Sequence, residues 1–237
     1  MRTLGFLMLV LLPLMFACPK QQQPEPDTSE AITWHQRMQD HLTYASGMRE
    51  AVIQGDLDLA KEHATRLGAY PQPQYVPELW RDSLERLYHL ADQGAGSESL
   101  IDAAIVVGRL AEACGDCHSK TGAQPKFSEI PEAPEGDNTL IHMLRHRSAA
   151  LSMWQGLAFP SEVKWTTGAA QLKEEPLQIA EEGVTSHWTN EVVALDERVH
   201  GLADRAINAP REEWVEVYAD TLSACADCHA VTRVIKP

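Results

Sequence analysis

The sequence predicts an all-α protein made of two tandem four-helix bundles. Three observations carry that expectation. Apolar residues recur at helical spacing, and no run of β-branched residues alternates apolar with polar, so nothing reads as a strand. One pattern occurs twice: Met38, His41, Ala45, Met48 and Val52 are spaced 3, 4, 3, 4, and so are Met143, His146, Ala150, Met153 and Leu157. Two segments of about one hundred residues, a common domain size, each close on the same motif, Cys-x-x-Cys-His.

The first element to justify is one that lies outside the fold. Met1-Arg2-Thr3 is short and positive, and Leu4 to Ala17 is an uncharged stretch of 14 residues. That is the length of a signal-peptide core and too short to span a bilayer. The segment ends Leu14-Met15-Phe16-Ala17-Cys18, which resembles a bacterial lipoprotein cleavage box. Residues 1–17 are therefore expected to be a removed signal peptide. Cys18 would become a lipidated N-terminus, anchoring a periplasmic protein to a bacterial membrane. The alternative is a plain signal peptide with an ordinary Cys18. Residues 18–29 are polar and Pro-rich, which suits a flexible tether.

The first bundle is expected over 30–123, with helices near 30–54, 57–68, 77–93 and 98–119. Residues 124–137 hold Pro125, Pro131, Pro134 and Gly136 and read as a linker. The second bundle is expected over 138–237, with helices near 138–158, 161–173, 187–207 and 211–232. Pro210 sits where a first-turn proline is tolerated.

The two units look like copies. Their first-helix stripes match in residue type at four positions, and at the fifth both residues are aliphatic. That spacing puts all five on one helix face, turned toward a core. Val107, Leu110, Cys114 and His118 share a face of the last helix, as do Tyr218, Thr221, Cys225 and His229. The offset between copies is 105 in the first helix and 111 in the last, so the second copy carries six extra residues between them. An internal duplication explains this most simply. The two bundles are then candidates to pack on each other as an internal pseudo-dimer.

Composition narrows the function classes. At 44% hydrophobic and 23% charged, the chain reads as globular. A net charge of −14 argues against nucleic acid, because phosphate binding needs clustered Lys and Arg. It leaves a basic protein partner or simple solubility as readings.

The motifs are Cys114-Gly115-Asp116-Cys117-His118 and Cys225-Ala226-Asp227-Cys228-His229. Two intervening residues let both sulfurs reach one porphyrin edge and form thioethers with the vinyl groups of haem. The following His then lies under the iron as an axial ligand. The competing reading is zinc held by paired Cys-x-x-Cys knuckles. With 107 residues between Cys117 and Cys225 and a His after each pair, haem fits better. Cys114, Cys117, Cys225 and Cys228 are thus expected to attach two covalent haem c groups, with His118 and His229 as proximal ligands. The fifth cysteine, Cys18, goes to lipid, so no thiol is left for a disulfide.

For the sixth iron position each stripe offers three candidates, Met38, His41 and Met48 in the first and Met143, His146 and Met153 in the second, or the site stays open. Methionine on a core stripe is ordinarily packing. A buried imidazole needs a partner, and finding one at the same position twice points to His41 and His146. His89 and His200 each fall 25 residues before the first cysteine of their unit, on charged third helices, and read as surface or haem-edge residues. Trp80 and Trp188 read as core anchors. Lys120 and Arg233 follow the motif histidines, where cations suit either a haem propionate or a helix C-terminus.

Together these features resemble the class II c-type cytochromes, meaning cytochrome c′ and its six-coordinate relatives. The resemblance covers about Glu30 to Pro237, as two units in tandem. It implies bundles with the haem motif on the last helix and the first helix across the far face of the haem. Departures are visible. Where the family has an aromatic residue three positions after the motif His, this chain has Thr121 and Thr232. Where the family has a basic residue four positions after, it has Gly122 and Arg233. The six-coordinate relatives use a first-helix Met, and cytochrome c′ leaves the site open. The leading expectation is an electron carrier with six-coordinate haems, working with redox proteins of the periplasm or membrane. It would not be an enzyme, and no paired acid–base group suggests a peroxidase. The alternative is a protein that binds or senses nitric oxide or carbon monoxide at an open or displaceable site.

Overall fold

A computed structural model describes residues 28–71, 75–125, 129–130, 135, 138–173 and 190–234. Residues 1–17, expected as a signal peptide, Cys18, most of the expected tether, Trp188 and much of the 124–137 segment lie outside the described residues, as does the side chain of Arg233. Among the described residues all regular structure is helical. The elements are α1 (Thr28–Ile53), α2 (Leu57–Gly68), α3 (Glu78–Ala95), α4 (Leu100–Thr121), α5 (Thr139–Ala158), α6 (Glu162–Leu172), α7 (Asn190–Asn208) and α8 (Trp214–Val234). A 3-10 turn, Arg211–Glu213, leads into α8. Within the described residues, no helix is long and apolar enough to cross a membrane.

Capping chemistry sets the starts. Asp56, Ser99, Asn138 and Ser161 each accept a hydrogen bond from the backbone N–H three residues on, satisfying a donor that the first turn would leave unpaired. The cap at Ser99 starts α4 at residue 100, two residues later than periodicity alone suggests. After Pro210, the Glu213 N–H bonds the Pro210 carbonyl at 3.0 Å, so the first turn is tight and α8 proper starts at Trp214, not 211. At its other end α4 closes on Gly122 at φ 67°, the left-handed conformation that favours glycine at a helix C-cap.

The chain divides into residues 1–37 and a compact unit of residues 38–237. In the first, the described residues are the opening of α1, where the Arg37 guanidinium lies over the Trp34 ring at 5.6 Å. In the second, both sequence repeats contribute to one continuous core. Met48, Val52, Leu67, Leu90 and Leu110 come from the first, and Met153, Trp154, Trp165, Tyr218 and Leu222 from the second. Helix α4 packs against α3 of its own repeat and against α5 and α8 of the other. Trp165 and Trp214 stack with centroids 4.5 Å apart, a geometry that adds about 0.5–1.5 kcal/mol to the burial of the two rings. Their indole N–H groups donate to the Ala206 and Ala209 carbonyls, so neither ring is buried at the cost of a lost hydrogen bond. The Tyr218 hydroxyl is likewise satisfied, donating to the Ala150 carbonyl at 3.0 Å.

Candidate functional site

The second repeat gathers the sequence-predicted residues around a cavity of about 290 Å³. Cys225, Cys228 and His229 reach it from α8, Met143 and His146 from α5, and Asp196 and Val199 from α7. Glu50 and Ile53 of α1 also line it, so the first repeat supplies part of the wall. The stripe spacing explains the α5 contribution. Ala150, Met153 and Leu157, farther along the same face, are buried, whereas Met143 and His146 are half-buried at its cavity end.

His146 keeps one ring nitrogen without a hydrogen-bond partner. Its Nε2 is buried and makes no hydrogen bond. Burial, and then the imidazoles of His142 and His200, push its pKa down to about 3, so the ring is neutral at ordinary pH. Around it lies a group that sequence reasoning missed. His142 and Asp196 are joined by a 3.0 Å contact between Nε2 and Oδ1, and His200 Nε2 lies 3.7 Å from the other Asp196 oxygen. The His146 ring centroid is 4.1 Å from that of His142 and 5.0 Å from that of His200. His200, expected at the surface or a haem edge, is in fact buried at 7% exposure. Charged neighbours on α7 suggested an outward face, but the helix turns Asp196 and His200 together onto α5. The missed signal was a pair of i, i+4 spacings: His142 with His146, and Asp196 with His200.

The first repeat treats its stripe histidine differently. His41 is buried at 4% exposure, with Nε2 3.3 Å from the Tyr88 hydroxyl and edge-on ring contacts to Tyr70 and Tyr88. Tyr70 in turn donates to Asp40. Met48 is fully buried packing, as is Met153 in the other copy, while Met38 is half-buried. His89 is exposed and bonds Gln93. Trp80 is half-buried, and Lys120 pairs with Asp82 at 3.5 Å.

The motif residues sit in two comparable settings. Burial pushes the Cys114 and Cys225 thiols up to about 12 and Cys228 to about 11, and it raises Cys117 too, so all four are neutral thiols. Asp116 and Asp227, which occupy the same place in their motifs, each accept from an arginine of the third helix of their repeat: Arg86 at 2.6 Å and Arg198 at 2.7 Å. His118 makes a contact across the repeats. Its Nδ1 lies 3.1 Å from the carbonyl of Ala158, at the end of α5, with Phe159 beside the ring. A carbonyl only accepts, so Nδ1 holds the proton and Nε2 keeps its lone pair. Close approach of α4 to α5 makes this contact feasible. A Cβ at Gly115 would collide with the Leu157 carbonyl, so the motif's first variable position has room only for glycine.

No family model, no curated protein and no solved structure matches this chain. A functional reading therefore rests on the motifs and on this geometry.

Proposed function

We propose that the chain is a di-haem c-type cytochrome, an electron carrier built as two tandem class II-like bundles with six-coordinate haems. The observation that carries the reading is the second-repeat cavity. Cys225, Cys228 and His229 line it together with a buried, neutral His146 Nε2 that makes no hydrogen bond, a donor set that suits a covalently attached, six-coordinate haem. The residues of the second repeat therefore fit the group.

In this reading Cys114 with Cys117, and Cys225 with Cys228, would each hold a haem as thioethers, whose formation from thiol and vinyl involves no net oxidation. His118 and His41, and His229 and His146, would supply imidazoles to the two irons. The haem would supply a one-electron ferric/ferrous couple. The protein would keep each iron ligated by two imidazoles, so that little rearranges on electron gain or loss, and would keep water away from it. The Ala158 carbonyl fixes the His118 tautomer, the usual outer-shell arrangement for a metal-bound imidazole, and orients its Nε2 lone pair. Two histidine ligands favour a lower potential than a His/Met pair, since methionine raises it. Export by the 1–17 segment and anchoring through Cys18 would keep the carrier at a bacterial membrane, facing the periplasm and its redox partners.

The test is spectroscopic. Protein expressed with c-type haem maturation is expected to carry two thioether-linked haems per chain by pyridine haemochrome and mass. Near-infrared magnetic circular dichroism is expected to show bis-histidine, low-spin ferric haem. Strong carbon monoxide binding at both untreated ferrous haems would sink the six-coordinate version and favour gas binding.

A further inference from the structure

Beyond the haem reading, and sharing with it His146 as a donor and Asp196 as a lining residue, the group on α5 and α7 has a role of its own. We propose that His142, Asp196 and His200 bind a divalent transition-metal ion of the zinc class beside the second haem cavity, with His146 completing the set when it is not on iron.

The chemistry follows from the residues. The four donor atoms all lie within 4.8 Å of one another. Each helix supplies two of them one turn apart, so a single ion can be gripped from both sides. Three imidazoles and one carboxylate form a nitrogen-rich set with a single hard oxygen. That suits zinc, cobalt, nickel or copper, and not the all-oxygen preference of calcium or magnesium. His142, Asp196 and His200 are 6%, 4% and 7% exposed. Two buried imidazoles and a half-buried third in ring contact, beside a buried carboxylate, have little reason to gather by packing alone, because polar rings cost burial without full hydrogen bonding. Asp196 supplies the negative charge that an ion would neutralise. With His146 on the haem iron, His142, Asp196 and His200 remain as three protein ligands, leaving a fourth position open, as zinc tolerates.

The duplicated positions sharpen the point. At the offsets of the two repeats, His142 corresponds to Arg37, Asp196 to Glu85 and His200 to His89. Glu85 and His89 are exposed, and the metal-capable group found among the described residues is that of the second repeat alone. The ion would therefore mark one haem and not the other, and its positive charge would raise the potential of the second haem relative to the first.

The test uses tag-free, haem-loaded protein equilibrated with zinc chloride by dialysis, with zinc and haem counted on the same samples. One zinc per chain is expected. His200→Ala and Asp196→Asn should each bind at least about tenfold more weakly, whereas His89→Ala, at the exposed equivalent position, should bind like the parent. Zinc-edge X-ray absorption on the parent protein needs no variant, and should show imidazole and oxygen donors without sulfur. No retained zinc, parent-like binding by His200→Ala, or sulfur in the shell overturns the site. Two haems without zinc would sink the ion site alone, and zinc without haem would sink the haem reading alone.

Discussion

The two repeats carry the same histidine at the same place on the same stripe, yet they surround it differently. His41 meets Tyr70 and Tyr88, whose hydroxyls can hydrogen-bond and whose rings fill space. His146 meets His142 and His200, which compete for charge and bring Asp196 with them. The divergence is legible residue by residue. The third-helix position that is Tyr88 in the first copy is Val199 in the second, and the exposed His89 becomes the buried His200. The two copies keep the histidine-bearing helix face and differ in what packs against it. In the proposed reading this gives two haems of the same ligand class but different polarity, hence different potentials, in one compact unit.

That contrast can be broken at several points. The largest effect is expected from the double variant Cys225→Ala/Cys228→Ala, which should remove one covalent haem of two, read by haemochrome and by a single haem mass lost. Cys114→Ala/Cys117→Ala should remove the other. If either pair leaves both haems attached, the one-motif-one-haem assignment fails.

Next in size is packing. Trp165→Ala removes a fully buried ring that is stacked on Trp214 and bonded to Ala206, and should cost about 3–5 kcal/mol in chemical denaturation. Gly115→Ala should cost about 1–3 kcal/mol by overpacking α4 against the Leu157 carbonyl. The matching position in the other copy is Ala226, fully buried in α8, so there the opposite change, Ala226→Gly, should destabilise by about 1 kcal/mol through lost helix propensity. Denaturation of Gly115→Ala tests whether the contact between α4 and the end of α5 is as tight as described.

Ligand variants then separate the repeats. His41→Ala and His146→Ala should each turn one haem high-spin and reactive to carbon monoxide, and the double variant both. If His41→Ala leaves the spectrum unchanged, the sixth ligand moves to Met38. Tyr88→Phe should cost about 0.5–1.5 kcal/mol and shift the potential of the first haem only. The smallest effects belong to the motif-flanking pairs. Arg86→Ala and Arg198→Ala break partly exposed contacts to Asp116 and Asp227, so each should cost below about 1 kcal/mol and lose even that at high salt.

How much of this was legible in the sequence depends on the range of the interaction. The helices could be read to within a few residues, because periodicity and caps are local: Ser99 and Pro210 shifted α4 and α8 by two or three positions and no more. The stripe residues Met48 and Met153 could be read as core for the same reason. His200 was misjudged, because a helix's own charge pattern says nothing about which neighbour it meets.

By itself the sequence determined the all-helical class, the copied stripes and the two five-residue motifs, because each is fixed by contacts within a turn or two of helix. Tertiary structure alone decided three other things. Both repeats share one core, the carbonyl that orients His118 lies 40 residues away in the other copy, and His142 meets Asp196 across 54 residues. The physical reason is one of range. Covalent spacing fixes what a segment can present, whereas burial and helix packing choose what it is presented to.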